Sequence, residues 1–230
     1  MSQTNTLNCL KNRIDEWVYY YVVRTVELDN ETGKEEFVQK GCGPNWEGRR
    51  ITLCTCKLSM CANMESKDWE GFWIAGIGGV KAERGNRCLV YLMKVKKAYD
   101  SHCDIYRAAR KEPHVIPLRA REKKRTDKNP LGDIYVPRAN RQLKGEARFN
   151  PENYLKPINT KHYAHPHLKD DEWRSDIERK PRWNRHPSLL IGDPHFSFLW
   201  STPTLRLTKE EKTFTQGNKK MPLSVSFCLD

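Results

Sequence analysis

Three cysteines in a C-x-C-x4-C pattern, Cys54, Cys56 and Cys61, are the first residues whose type and spacing could do chemistry. Thiolates bind zinc and act as nucleophiles, and Lys57 follows Cys56, so its charge would lower the thiol pKa where the two side chains meet. Zinc wants four ligands, commonly as two close pairs, and no second C-x2-C pair completes this cluster. Cys42 could serve only if the chain folds back. Inert core cysteine is the other reading, because small residues in a packed segment behave as hydrophobes. Cys56 and Lys57 are therefore the candidate catalytic pair, and no metal is assigned.

A second cluster lies in HYAHPHLKDDEW, where His162, His165 and His167 precede Asp170 and Asp171. Imidazoles and carboxylates at such spacing could hold a divalent metal. Pro166 excludes the helix that would fix their directions, so contact with solvent or phosphate is the competing reading. Aromatics near Gly, Pro or Arg form the third feature: Trp46, Trp69, Trp73, Tyr135, Trp173 and Trp183. Aromatic faces stack on bases while Arg and Lys neutralise phosphates. Against this, most of the seven tryptophans are expected in the core. Arg119, Arg121, Lys123, Lys124, Arg125 and Lys128 crowd together, as a solvated mobile loop or as a surface facing phosphates. No phosphate loop, dinucleotide fingerprint or nucleophile elbow occurs, which argues against the familiar NTPases, dinucleotide enzymes and serine hydrolases.

The elements that must position these residues follow from periodicity. Leu7, Leu10, Ile14, Trp17 and Val18 recur at helical spacing, predicting an opening amphipathic helix. A β-branched and aromatic run from Val18 to Val26 predicts a buried strand. DNETGKEE reads as a surface turn and GCGPNWEGRR as a loop. ITLCTCKLSMCANM suits either a strand entering a helix or a buried helix. GFWIAGIGG and CLVYLMKVKKAY predict a hairpin, with the Gly71 to Gly79 setting of the first strand suggesting that another backbone crosses it closely. Residues 107–144 read as a basic insertion with an ordered island at GDIYVP. PSLLIGDPHFSFLW predicts two short runs around a Gly192-Asp193-Pro194 turn, and LSVSFCL a final edge strand.

Composition sets the outer limits. The 230 residues favour one elaborated domain, and the abundance of aromatics argues against wholesale disorder despite a mean hydropathy of −0.82. No apolar run approaches the ~18 residues that cross a bilayer. The opening residues lack an apolar signal core, so a cytoplasmic location is expected. A net charge of +12 favours polyanionic partners, although it also suits an ordinary basic enzyme.

In order along the chain, YYYVVR, GCGPNWEGRRITLCTCKLSMCANM, GFWIAGIGG, LVYLMKV, GDIY and LLIGDPHFSFLW resemble the nucleotide modification associated domain 2 family. The resemblance runs from about Val18 to Trp200 and implies an α+β fold in a setting of DNA base modification or phage–host defence. Gly41, Pro44, Asn45, Thr52, Leu53, Cys56, Lys57 and Gly76 match the pattern. The chain departs from it where an acidic residue would follow the glycine before Trp73, and again near Gln39. If either carboxylate is catalytic in relatives, the departure weakens a catalytic role. The hairpin also looks like small barrels of the PUA, EVE and ASCH type, by fold-level analogy.

The fold expected is thus α+β, a small mixed or barrel-like sheet with flanking helices and a long basic insertion. The function expected is binding of nucleic acid or a nucleotide, with no membrane, and with a protein of a modification or defence system as a further partner. Asn45, Trp46, Thr52, Trp73 and Tyr135 would hold a base, centred between Asn45, Cys56 and Trp73. Arg119, Arg121, Lys123, Lys124 and Arg125 would meet phosphates. The alternative is a base- or nucleotide-modifying enzyme using Cys56 and Lys57 or the histidine segment; its cofactor is unassigned.

Overall fold

A computed structural model describes residues 17–23, 26–29, 36–39, 45–47, 49–55, 57–78, 87–111, 134–138, 143–156, 171–181, 183–202, 206–207 and 220–222. The architecture is α+β, a mixed sheet accompanied by short helices. The chain divides into two compact units, Met1–Lys40 with Gly71–Lys94 and Phe196–Asp230, and Gly41–Glu70 with Val95–His195. Among the described residues no helix is long and apolar enough to cross a membrane.

In the first unit β1 (Trp17–Val23) runs parallel to β6 (Trp73–Gly78), pairing Val18 with Trp73 through Val23 with Gly78. Trp17 and Val18, expected at the end of a helix, belong to this strand. Their β-branched and aromatic successors favour an extended backbone, and pairing on both edges holds it. β9 (Lys220–Pro222) pairs antiparallel on the far side of β1, upstream of the expected edge strand at 223–229, which lies outside the described residues. β2 (Val26–Asp29) and β3 (Glu36–Gln39) pair antiparallel across the predicted turn.

The predicted hairpin is present: β6 pairs antiparallel with β7 (Arg87–Tyr99), with a register shift between Gly76 and Ile77. Alternation along β1 and β6 sends Val18, Tyr20, Trp73, Ala75 and Ile77 to one core face, where Phe196, Phe198 and Trp200 pack. All six residues of β6 are buried, as a strand covered on both faces requires. Gly76 sits opposite Tyr91, and a Cβ there would overlap the Tyr91 ring and lie 2.8 Å from Val23 Cγ2. The close neighbour at Gly76 is thus the Tyr91 ring rather than the crossing backbone expected from sequence.

In the second unit β5 (Arg50–Leu53) lies between β4 (Asn45–Glu47) and β8 (Leu189–Leu199). Asn45–Glu47, expected as loop, pair antiparallel with Arg50, Ile51 and Thr52, and Arg49 takes φ 63°. The strand then enters α1 (Leu58–Cys61) and α2 (Ser66–Trp69), the first of the two sequence readings. The Trp69 indole N–H donates to the Cys61 carbonyl at 3.1 Å and ties these helices together.

The Gly192-Asp193-Pro194 turn is corrected as well: β8 runs through it unbroken. Pro194 has no N–H to give, and the Asp193 carboxylate accepts the His195 N–H at 2.8 Å, so local side-chain bonding replaces ladder bonding there.

α3 (His102–Lys111) buries Cys103 and Ile105, and Ser101 opens it by accepting the Asp104 N–H and donating to the Asp104 carboxylate at 2.6 Å. Arg107 to Lys111, assigned by sequence to the basic insertion, therefore belong to a helix, and Ile134, Tyr135 and Val136 at its other end are core. Short 3-10 turns at Gly145–Phe149, Pro151–Asn153 and Glu172–Arg174, followed by α4 (Ser175–Glu178), cover this core.

Candidate functional site

Of the residues that sequence singled out, Cys56, the run from Arg119 to Lys128, His162, His165, His167 and Asp170 lie outside the described residues. Cys54 and Cys61 are fully buried. Cys54 packs with Ile105, Ile134, Leu189 and Ile191, its thiol 4.0 Å from the Leu190 carbonyl, as inert core cysteine does. Lys57 is half-buried, at φ 57°, just before α1.

Asn45 and Thr52 are brought together as cross-strand partners in the second unit, and Trp46 beside them is 43% exposed. Trp73 belongs to the first unit. An open stacking face at Trp73 and Tyr135 is corrected by their burial, 1% and 0% exposed. Trp73 meets Phe196 edge-on at 5.9 Å, and Lys94 Nζ lies 5.6 Å from its ring centroid. Tyr135 packs against His102 and Trp173, and its hydroxyl donates to Asp176 at 2.7 Å. Both rings are large buried apolar surfaces, and the polar tip of Tyr135 finds its partner inside.

The exposed rings and cations converge elsewhere in the second unit. A cavity of about 400 Å³ is lined by Arg148, Phe149, Lys180, Trp183, Arg185 and His186, with Glu65, Asp100 and Glu146 among its other walls. Trp183 is 80% exposed, far above the other described tryptophans. It and Asn184 take successive left-handed conformations, φ 54° and 51°. Asn tolerates that region, but for a bulky residue it is an outlier that costs of order 1–3 kcal/mol. Pro181 and Pro187 bracket the turn and restrict the backbone on either side. The chain thus holds a large apolar ring in water at some conformational cost, which points to a use outside folding.

In the wall of the same cavity Phe149 and His186 stack, and the Arg148 guanidinium carbon lies 5.1 Å from the Phe149 centroid. Arg148 is oriented by Asp104 at 2.9 Å and Asp100 at 3.6 Å, and Lys180 lies 3.5 Å from Glu146. Burial, then the charge of Lys180, holds the His186 imidazole below its ordinary pKa, against the opposing pull of Glu146 at 3.9 Å. The imidazole is therefore neutral near pH 7, which suits a parallel stack on an apolar ring. Chemically this wall offers a ring face for a planar heterocycle and guanidinium and ammonium groups for an anion.

Sequence reasoning noted Trp183 only as one aromatic among six and did not assign Arg148, Phe149, Lys180, Arg185 or His186. The available signal was the segment KPRWNRHP, which sets two arginines and a tryptophan between prolines. Comparison with protein-family models, with curated proteins and with solved structures gives no match.

Proposed function

We propose that the protein binds nucleic acid or a nucleotide at the cavity walled by Arg148, Phe149, Trp183 and Arg185. The observation that carries this reading is Trp183, held 80% exposed by two consecutive left-handed residues at the mouth of a cation-bearing cavity. A base stacks on the indole, and Arg185 and Lys180 face the phosphate. Stacking of this kind is worth ~1–3 kcal/mol per base, and phosphate neutralisation supplies a further, salt-sensitive share. The net charge of +12 favours encounter with a polyanion.

The setting we propose is DNA base modification or phage–host defence, as the resemblance to the nucleotide modification associated domain 2 family implies, with a protein of such a system as a further partner. A small-barrel fold of the PUA, EVE and ASCH type is proposed alongside it, supported by the β1–β6 parallel pair next to the β6–β7 hairpin.

The test is electrophoretic mobility of single-stranded DNA, with and without modified bases, over a range of salt. Retardation at low ionic strength that is lost steeply as salt rises is expected. DNA that migrates unretarded at the lowest ionic strength refutes the reading.

A further inference from the structure

The cavity at Trp183 does not stand alone in the second unit. A second cavity, of about 420 Å³, shares Glu65, Ser66, Asp100 and Arg148 with it and continues to Lys67, Tyr99 and Asp104. Each volume falls in the range of ~300–1,000 Å³ that takes one small ligand. Arg148 therefore lines both, its guanidinium paired with Asp104 and lying over the Phe149 ring.

The two walls differ in chemistry. The first carries Lys180, Arg185 and the exposed Trp183. The second carries carboxylates already countered from within the chain: Glu65 by Lys67 at 3.0 Å, Glu70 by Lys97 at 3.1 Å, and Asp104 by Arg107 at 3.2 Å and by Arg148. The carboxylates of that second space are thus paired, with Lys67 and Arg148 lining it beside them. A base entering it meets the half-buried Tyr99 ring and acceptors for its N–H donors.

Resting on the proposed nucleotide-binding reading, we infer that the ligand is a single strand of at least two nucleotides rather than a free mononucleotide. One base lies on Trp183, the phosphate joining the two units faces Arg148, and the second base occupies the cavity at Tyr99. The two spaces share Glu65, Ser66, Asp100 and Arg148 in their walls, and a ligand with two bases reaches both.

Isothermal titration of the full chain at one ionic strength tests this, using a 5′-phosphorylated mononucleotide, the matching dinucleotide, and dinucleotides abasic at either unit. The dinucleotide is expected to bind about tenfold more tightly than the mononucleotide, the gain of one further stacked base. Either abasic dinucleotide is expected to lose that gain. A dinucleotide within about threefold of the mononucleotide overturns the inference while leaving the binding reading intact. An abasic dinucleotide that keeps the full gain overturns it too, because charge alone would then explain the difference. If none of the ligands binds, the inference falls together with the reading beneath it.

Discussion

Phe149 and His186 lie face to face, their ring centroids 3.5 Å apart and their planes 3° from parallel. The stack backs the cavity that presents Trp183, and its imidazole is shielded from water and set near Lys180. Its protonation state therefore bears on folding as well as on the site.

His186 titrates below 6.5 in the folded chain and near 6.5 when unfolded. Between those two values the unfolded state binds more protons, so stability rises with pH through that window. The contribution is fully present above pH 6.5 and is lost as pH falls through the lower, folded value. His186→Phe keeps a stacked ring and removes the titration. Thermal melts of both proteins from about pH 7.5 down to about pH 5 are expected to show a shallower fall in Tm for the variant. Parallel curves contradict this assignment.

Trp183→Ala should separate binding from folding. The side chain is 80% exposed, so stability is expected to change by no more than ~0.5 kcal/mol. Loss of a stacked base should weaken single-stranded DNA binding by about 10- to 100-fold. Denaturant unfolding and titration on the same preparation check both; unchanged affinity removes Trp183 from the site.

Gly76→Ala places a methyl group against the Tyr91 ring and Val23 in a buried strand pair. Overpacking of this kind costs ~1–3 kcal/mol. A lower denaturant midpoint is expected, and a midpoint equal to the parent would mean that Tyr91 moves aside freely.

Tyr135→Phe removes the 2.7 Å donation to the buried Asp176 carboxylate. A hydrogen bond to a charged acceptor contributes ~1.5–3 kcal/mol, so urea unfolding should show a loss in that range with an unchanged slope. Retained stability would show that Asp176 is satisfied without the phenol.

Period-2 patterns were legible where they ran long. The β6–β7 hairpin and most of β1 follow from β-branched and aromatic runs that have no other way to bury both faces. Glycine, proline and aspartate misled at Asn45–Glu47 and at Gly192 to Pro194. In both places strand partners or a side-chain hydrogen bond hold the backbone extended against the turn tendency of those residues. Trp73 and Tyr135 looked like binding residues because ring type and neighbouring residues say nothing about which faces are already covered.

By itself the sequence determined the charge, the α+β element types and the apolar strands of the core, because these depend on composition and on spacing along the chain. Tertiary structure alone decided which rings face water. Arg148, Phe149, Trp183 and His186 come from separate stretches of the chain, and only chain folding sets their side chains around one cavity. The left-handed turn that exposes Trp183 is written in no periodicity; it is a backbone state that the surrounding fold enforces.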